Sequence, residues 1–463
     1  MRKEHFDTFN IFCYNISMKN LGLYIHIPFC VSKCSYCDFV SFCYGEDKQQ
    51  EYLNALLLEI EFYKNKFKDK VFDSLYIGGG TPSAVFNGFI EKLSKKVFDS
   101  FNFASDTEFT IEVNPNSFNE EKLTEYLRAR VNRISIGVQC LNDKVTNNIG
   151  RVQTRSAVEN AFNILNKHNF VNISADIMLA MPNESDQDII DTINFFKQNN
   201  VKHVSAYSLQ VEENTTLFDR VQAGESVPND DESRRQYDLA VELLKKAGYN
   251  RYEVSNFALP SYESRHNQKY WNNTEYLGLG VNAHSFYNNF RVYNTSNLND
   301  YIKKCKNLLN LEKKHCKTTL KSLNNLEIEK EVANNSNNKE NYINSDLTIN
   351  CKNKNQLKRG KTENSNSHFE NKLKVYSKIL PIGGFEFLDE NTRKTERIML
   401  SLRTSKGLDI SSFNKEFSSN FLLEHSKAIE NLKKINAIIL EYNHLKITDE
   451  FFYLSNAIIE EFI

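Results

Sequence analysis

Three cysteines, Cys30, Cys34 and Cys37, fall within one eight-residue stretch, separated by three and then two residues. Thiolates at that spacing can wrap one face of an iron–sulfur cluster from a single loop and leave one iron without a protein ligand. An iron left open in that way can bind a substrate or a cofactor. Zinc is the rival ion, but a structural zinc site brings a fourth Cys or His at a familiar spacing, and the nearest, His26, sits inside a strand-like run. The other six cysteines (Cys13, Cys43, Cys140, Cys305, Cys316 and Cys351) are scattered and read as ordinary small hydrophobes.

The elements that must position these thiols are readable from the pattern. Short runs rich in Ile, Val and Tyr at 21–29, 74–80, 109–115, 133–139, 172–179 and 203–210 alternate with longer amphipathic stretches. Such alternation predicts a parallel sheet with helical crossovers, either open and doubly wound or a complete or partial (β/α) barrel, of which the partial barrel is the expectation carried forward. Polar and glycine residues gather at the carboxyl ends of the runs: the cysteines after the first, Gly78 to Pro82 after the second, Glu112 and Asn114 in the third, Gln139 in the fourth, Asp176 in the fifth. Parallel α/β folds bind ligands at that edge, so independent strands nominate one site. The glycine run lacks the Lys of a phosphate loop, and Gly278 to Ala283 shares only its glycines with a dinucleotide fingerprint.

Cys30 to Cys37, following a strand that ends in HIPF and preceding GGGTP, resembles the radical S-adenosylmethionine superfamily. The resemblance implies a [4Fe-4S] cluster on Cys30, Cys34 and Cys37, with S-adenosylmethionine chelating the open iron and being split on reduction. It further implies that Tyr24, Tyr36, Gly79, Gly80 and Thr81, with Glu112, Gln139, Arg151 and Asp176, contact that cofactor. Glycines let the backbone approach an ammonium group, a carboxylate suits ammonium or ribose hydroxyls, and Arg151 suits a carboxylate.

Within the superfamily the chain is similar to the oxygen-independent coproporphyrinogen oxidase group, through LYIHIPFCVSKCSYCDF, YIGGGTPS, IEVNPNS, NRISIGVQ, RYEVSNFA, HNQKYW and a late LSN. That group holds coproporphyrinogen dehydrogenases, which carry a further Cys two residues after the third ligand, and the HemW heme chaperones. Phe39 at that position and the HNxxYW sequence of His266 to Trp271 point to the chaperones. The resemblance implies heme as cargo, with His266 in the heme site, an acceptor protein for the heme and an electron donor for the cluster. An imidazole beside Tyr270 and Trp271 can ligate iron while rings pack on a porphyrin, although a hydrogen-bonded core histidine has the same appearance in sequence. The chain departs from the group at Gln153, where relatives have His, and at Ala180 and Asn183, where they have Gly.

Charge and length bound the remainder. With 58 Lys+Arg against 59 Asp+Glu in 463 residues, no positive field is available for nucleic acid. No apolar run is long enough to span a membrane. Residues 1–20 read as an extension without a signal or transit pattern, with Met18 a second candidate start, and a cytoplasmic location is expected. A core over 21–303, an Asn/Lys-rich, disordered insertion over 304–376 and a winged-helix-like α+β domain over 377–463 complete the expected organisation.

Overall fold

The computed structural model describes residues 20–308 and 380–463. Nearly all of the expected N-terminal extension and insertion lies outside the described residues, as do Cys13, Cys316 and Cys351.

Six parallel strands form the centre: β1 (Leu21–Ile27), β2 (Val71–Gly79), β3 (Asn102–Val113), β4 (Arg133–Gln139), β5 (Ile173–Leu179) and β6 (His203–Ser208), neighbours in that order. Along these strands, and in β3 along its second half, apolar and polar positions alternate. Leu23, Ile25, Leu75, Ile77, Ile111, Ile134, Ile136 and Ile177 are fully buried. The residues between them, such as Tyr24, Tyr76, Glu112, Ser135 and Asp176, share the opposite face, as the period of two requires. Beneath the apolar face run crossover helices, including α1 (Glu46–Lys64), α2 (Phe89–Ser100), α3 (Glu120–Arg128), α4 (Asp143–Asn148), α5 (Arg155–Lys167) and α6 (Asp186–Gln198). Their starts are encoded locally: Asn119 and Thr154 accept hydrogen bonds from backbone N–H groups of the first turn, and Ser185 with Asp188 forms a capping box.

The order of strands never brings β6 back to β1, so the barrel is partial, as expected. On the β6 side, β8 (Asn256–Ala258) pairs antiparallel and β7 (Asn250–Arg251) follows it. On the β1 side, β9 (Tyr276–Leu279) adds in parallel, then β10 (His284–Tyr287) and β11 (Phe290–Asn294) form a hairpin around Asn288 and Asn289, both at positive φ. The glycines of the Gly278 to Ala283 stretch are explained here. A Cβ on Gly278 would meet the His284 carbonyl at 1.9 Å, and one on Gly280 would meet the Tyr52 hydroxyl at 2.4 Å. They serve strand packing.

After the undescribed segment the chain re-enters this sheet as β12 (Ile382–Phe387), antiparallel to β11. A second apolar core then gathers around α10 (Glu390–Leu402), further helices, and a three-stranded antiparallel sheet of β13 (Leu408–Asp409), β15 (His444–Ile447) and β14 (Ile438–Glu441), in that order. This is the expected C-terminal α+β unit. It docks through Glu253 bridging to Thr404, Arg251 lying 3.8 Å from the Phe452 ring centre, and Arg291 paired with Glu396.

Candidate functional site

The cysteine loop leaves β1 and is anchored from three sides. Cys30 N–H donates to the Phe42 carbonyl, Ser35 N–H to the Ile149 carbonyl, and Leu217 of α7 (Thr216–Gln222) donates its N–H to the Ser35 carbonyl at 2.8 Å. Arg220, one turn along α7, donates to the Asn148 carbonyl at 2.8 Å and so ties that helix to the end of α4. The three thiols are half-buried, and burial pushes Cys37 up from its ordinary range. Thr81 donates to the Cys30 sulfur at 3.5 Å.

These thiols open onto a cavity of about 780 Å³ over the polar face of the sheet. Its wall includes Tyr36 from the loop, Gly79, Gly80 and Thr81 after β2, Glu112 on β3, Gln139 after β4, Arg151 and Asp176. The backbone is shaped for close approach: Gly79 has φ +116°, and a Cβ there would strike the His26 ring at 2.5 Å. Gly80 would meet Phe29 backbone atoms at 2.9 Å. Gln139 also holds a positive φ, 64°, an uncommon conformation for a side-chain-bearing residue, and Tyr207 donates to its Oε1 at 3.1 Å.

Two carboxylates face this space. Glu112 accepts from Tyr76 at 2.7 Å and from the Gly79 N–H at 3.0 Å, and burial pushes it up to about 7, with repulsion from Asp176 adding to the rise. Burial likewise pushes Asp176 up to about 6, against hydrogen bonds from Ser205 and Ser135. Raised carboxylates in a cavity are relieved by a cation, so the pair suits a cationic ligand. Arg151 is held by donating to the Gly137 carbonyl and, at 3.0 Å, to Gln153 Oε1. Gln153 in turn donates to the Val138 carbonyl, so the amide both accepts and donates, as a neutral imidazole would. The departure at Gln153 therefore preserves the support of Arg151.

The donor set of three half-buried thiols on one loop fits an iron–sulfur cluster. Among the described residues no His, Cys, Asp and Glu side chains converge tightly enough to hold one metal ion. Three thiols on one loop beside a glycine cradle match a cluster in which each takes a different iron.

Two sequence-nominated residues lie elsewhere. Tyr24 lines a neighbouring cavity of about 380 Å³ and not the first, bonding His26 Nδ1 at 3.0 Å and stacking near Tyr76. His266 lines neither. It belongs to α9 (Arg265–Trp271), which lies against the start of the barrel strands. Its Nδ1 is 2.9 Å from Ser74 Oγ, its Nε2 is 2.9 Å from the Tyr270 hydroxyl, and its ring stacks on Tyr76 at 5.2 Å. The ring is 1 % exposed, and burial drives its pKa down to about 3. Glu108 accepts from the N–H groups of Arg265 and His266, which pins the start of α9, and Gly22 leaves room for His266 and Lys269 against β1. HNxxYW thus builds the floor under the site. Both ring nitrogens of His266 are hydrogen-bonded here, the arrangement of a core histidine.

The family model described as the Radical SAM superfamily matches residues 24–196, and that of the HemN C-terminal domain matches 388–452. The protein named heme chaperone HemW of Lactococcus lactis is 34% identical over 281 residues, covering 60% of this chain and 73% of that one. The chain belongs to the HemW family. HemW of Bacillus subtilis, at 34% identity, covers 60% of this chain and is itself covered over 74%, and HemW of Escherichia coli, at 33%, gives 58% and 71%. The structure of coproporphyrinogen III oxidase (HemN) from E. coli superposes with a TM-score of 0.71 at 19% identity, over 96% of this chain and 90% of that one, which shows the shared fold.

Several residues of this HemW-family site were not singled out from sequence. Tyr76, Ser135, Ser205 and Tyr207 occupy polar-face positions that alternate with apolar ones, a signal present in the alternation once the register is known. His26, Tyr276 and His284 line the second cavity with Tyr24. His284 stands on β10, an element whose short, mixed sequence carries no clear strand pattern.

Proposed function

We propose that this chain is a heme chaperone that holds a [4Fe-4S] cluster through Cys30, Cys34 and Cys37, binds S-adenosylmethionine beside it, and passes heme to an acceptor protein. The observation that carries the reading is the single cavity in which the three thiols meet Gly79, Gly80, Glu112, Arg151 and Asp176, in a chain of the HemW family. Glu112 and the Gly79–Gly80 backbone would take the cofactor's amino group and Arg151 its carboxylate, while Asp176 and Gln139 hold the polar wall. A reduced cluster supplies the electron that splits the sulfonium of S-adenosylmethionine. The chain's own part is to fix the loop through Ser35 and α7, hold the two carboxylates ready for a cation, and keep the floor closed with α9.

Phe39 stands where the coproporphyrinogen dehydrogenases carry their further Cys, and its ring is 62 % exposed at the cavity mouth. The test is an anaerobic comparison of two reactions. Reconstituted protein with S-adenosylmethionine and a reductant is expected to deliver bound heme to apomyoglobin, faster than a Cys30/Cys34/Cys37→Ala variant, and to leave coproporphyrinogen III unchanged. Formation of protoporphyrinogen IX would overturn the reading.

A further inference from the structure

The second cavity is built from aromatic and imidazole groups and shares Phe39, Gly79 and Glu112 with the first. An occupant there would abut the residues that hold the S-adenosylmethionine site. Its remaining walls include Tyr270 and Tyr276, whose rings meet edge to face at 4.8 Å, with His26 and His284. Broad apolar rings with a few polar atoms are the lining of a site for a flat organic ligand.

Of the two histidines only one offers a nitrogen. His26 is engaged at both, with the Tyr24 hydroxyl at 3.0 Å and the Val40 carbonyl at 3.0 Å. His284 is exposed, and among the described residues neither ring nitrogen has a hydrogen-bond partner. Its ring is oriented by the cross-strand neighbour Tyr293, stacked at 5.2 Å and 24°. The Tyr24 and Tyr270 hydroxyls are bonded to His26 and His266, so neither is a free oxygen ligand.

We propose that His284 is the axial ligand to heme iron in this second cavity, with Phe39 and Tyr276 packing against the macrocycle. The inference rests on the heme-chaperone reading and names the ligand that reading needs, in place of the floor residue His266. Heme so placed shares Phe39 and Glu112 with the S-adenosylmethionine cavity, which gives the occupancy of one a direct steric route to the other.

The experiment is a heme titration of the full chain, wild type beside His284→Ala and His266→Ala, with resonance Raman of the ferrous complexes. Wild type is expected to show an iron–histidine stretch. H284A is expected to lose that stretch and bind heme at least about tenfold more weakly, with cluster content unchanged and the ligation restored by added imidazole. H266A, if it folds, is expected to keep the stretch. Retention of the stretch and of wild-type affinity by H284A would overturn the proposal while leaving the chaperone reading standing. Absence of heme binding by wild type would bring down both.

Discussion

Burial holds the Glu112 and Asp176 carboxyls above their ordinary range where they face the cavity. With no cation beside it, Glu112 is pushed by burial to about 7, so at pH 6 most of it is protonated and a cationic ligand must displace a proton to bind. Affinity for S-adenosylmethionine is therefore expected to be about tenfold weaker at pH 6 than at pH 8, with proton release measurable by calorimetry in buffers of different ionisation enthalpy. Glu112→Gln is expected to bind weakly at both values, and an unchanged affinity across that range in wild type would count against the assignment. Ala180 offers a test free of ligands. It holds φ +60°, at a position where the resemblance leads one to expect Gly, and Asn183 holds φ +64°. Asn tolerates the left-handed region, whereas Ala is strained there by about 1–2 kcal/mol. Because glycine also gains unfolded-state entropy, Ala180→Gly is expected to stabilise by about 0.5–1 kcal/mol in chemical denaturation, and a loss of stability would contradict the account. The departures from the family pattern were legible as departures, but only backbone angles show which of them costs anything.

At the scale of elements, the barrel strands were legible because their apolar and polar positions alternate, and the cysteine loop because its spacing has few uses. β3 starts at Asn102, seven residues before its legible run at 109. Its first half, NFASDT, has no buried residue and carries no apolar alternation. α9 shows where sequence reading ends. A histidine with nearby aromatics has the same pattern whether it opens on a cavity or closes a floor, and only the placement of Ser74, Tyr76 and Glu108 around it separates the two. If α9 is the floor, His266→Ala removes the partner of Ser74 and of Tyr270 and leaves a void beneath Tyr76. The expected loss is about 2–4 kcal/mol, read by denaturant unfolding. A variant as stable as wild type would show that α9 is not packed as described.

Where the half-barrel meets the C-terminal unit, the backbone of a buried acid, Glu253, bridges to Thr404. Glu253 lies at the seam, accepting from the Ser255 N–H at 2.9 Å and from Asn256, and burial pushes it up to about 7. An unfolded glutamate titrates near about 4.3, so the folded state binds the proton more tightly. The contribution of this group is complete below about pH 4, and it is lost as pH rises through about 7. Glu253→Gln is expected to gain stability relative to wild type between pH 5 and pH 8, as a rising difference in Tm. A constant difference would mean that Glu253 is charged at the seam throughout. The seam itself was not legible, because β12 returns to the main sheet after a long stretch of sequence, and nothing local marks its pairing with β11.

The central claim is that one chain carries both a cluster site and a heme site. The direct measurement is anaerobic gel filtration of the reconstituted protein with one equivalent of heme, quantifying non-heme iron, sulfide and heme in the protein peak. The account predicts about four non-heme irons and close to one heme per chain, with heme retained when S-adenosylmethionine is present. A peak that carries the cluster and no heme would contradict it.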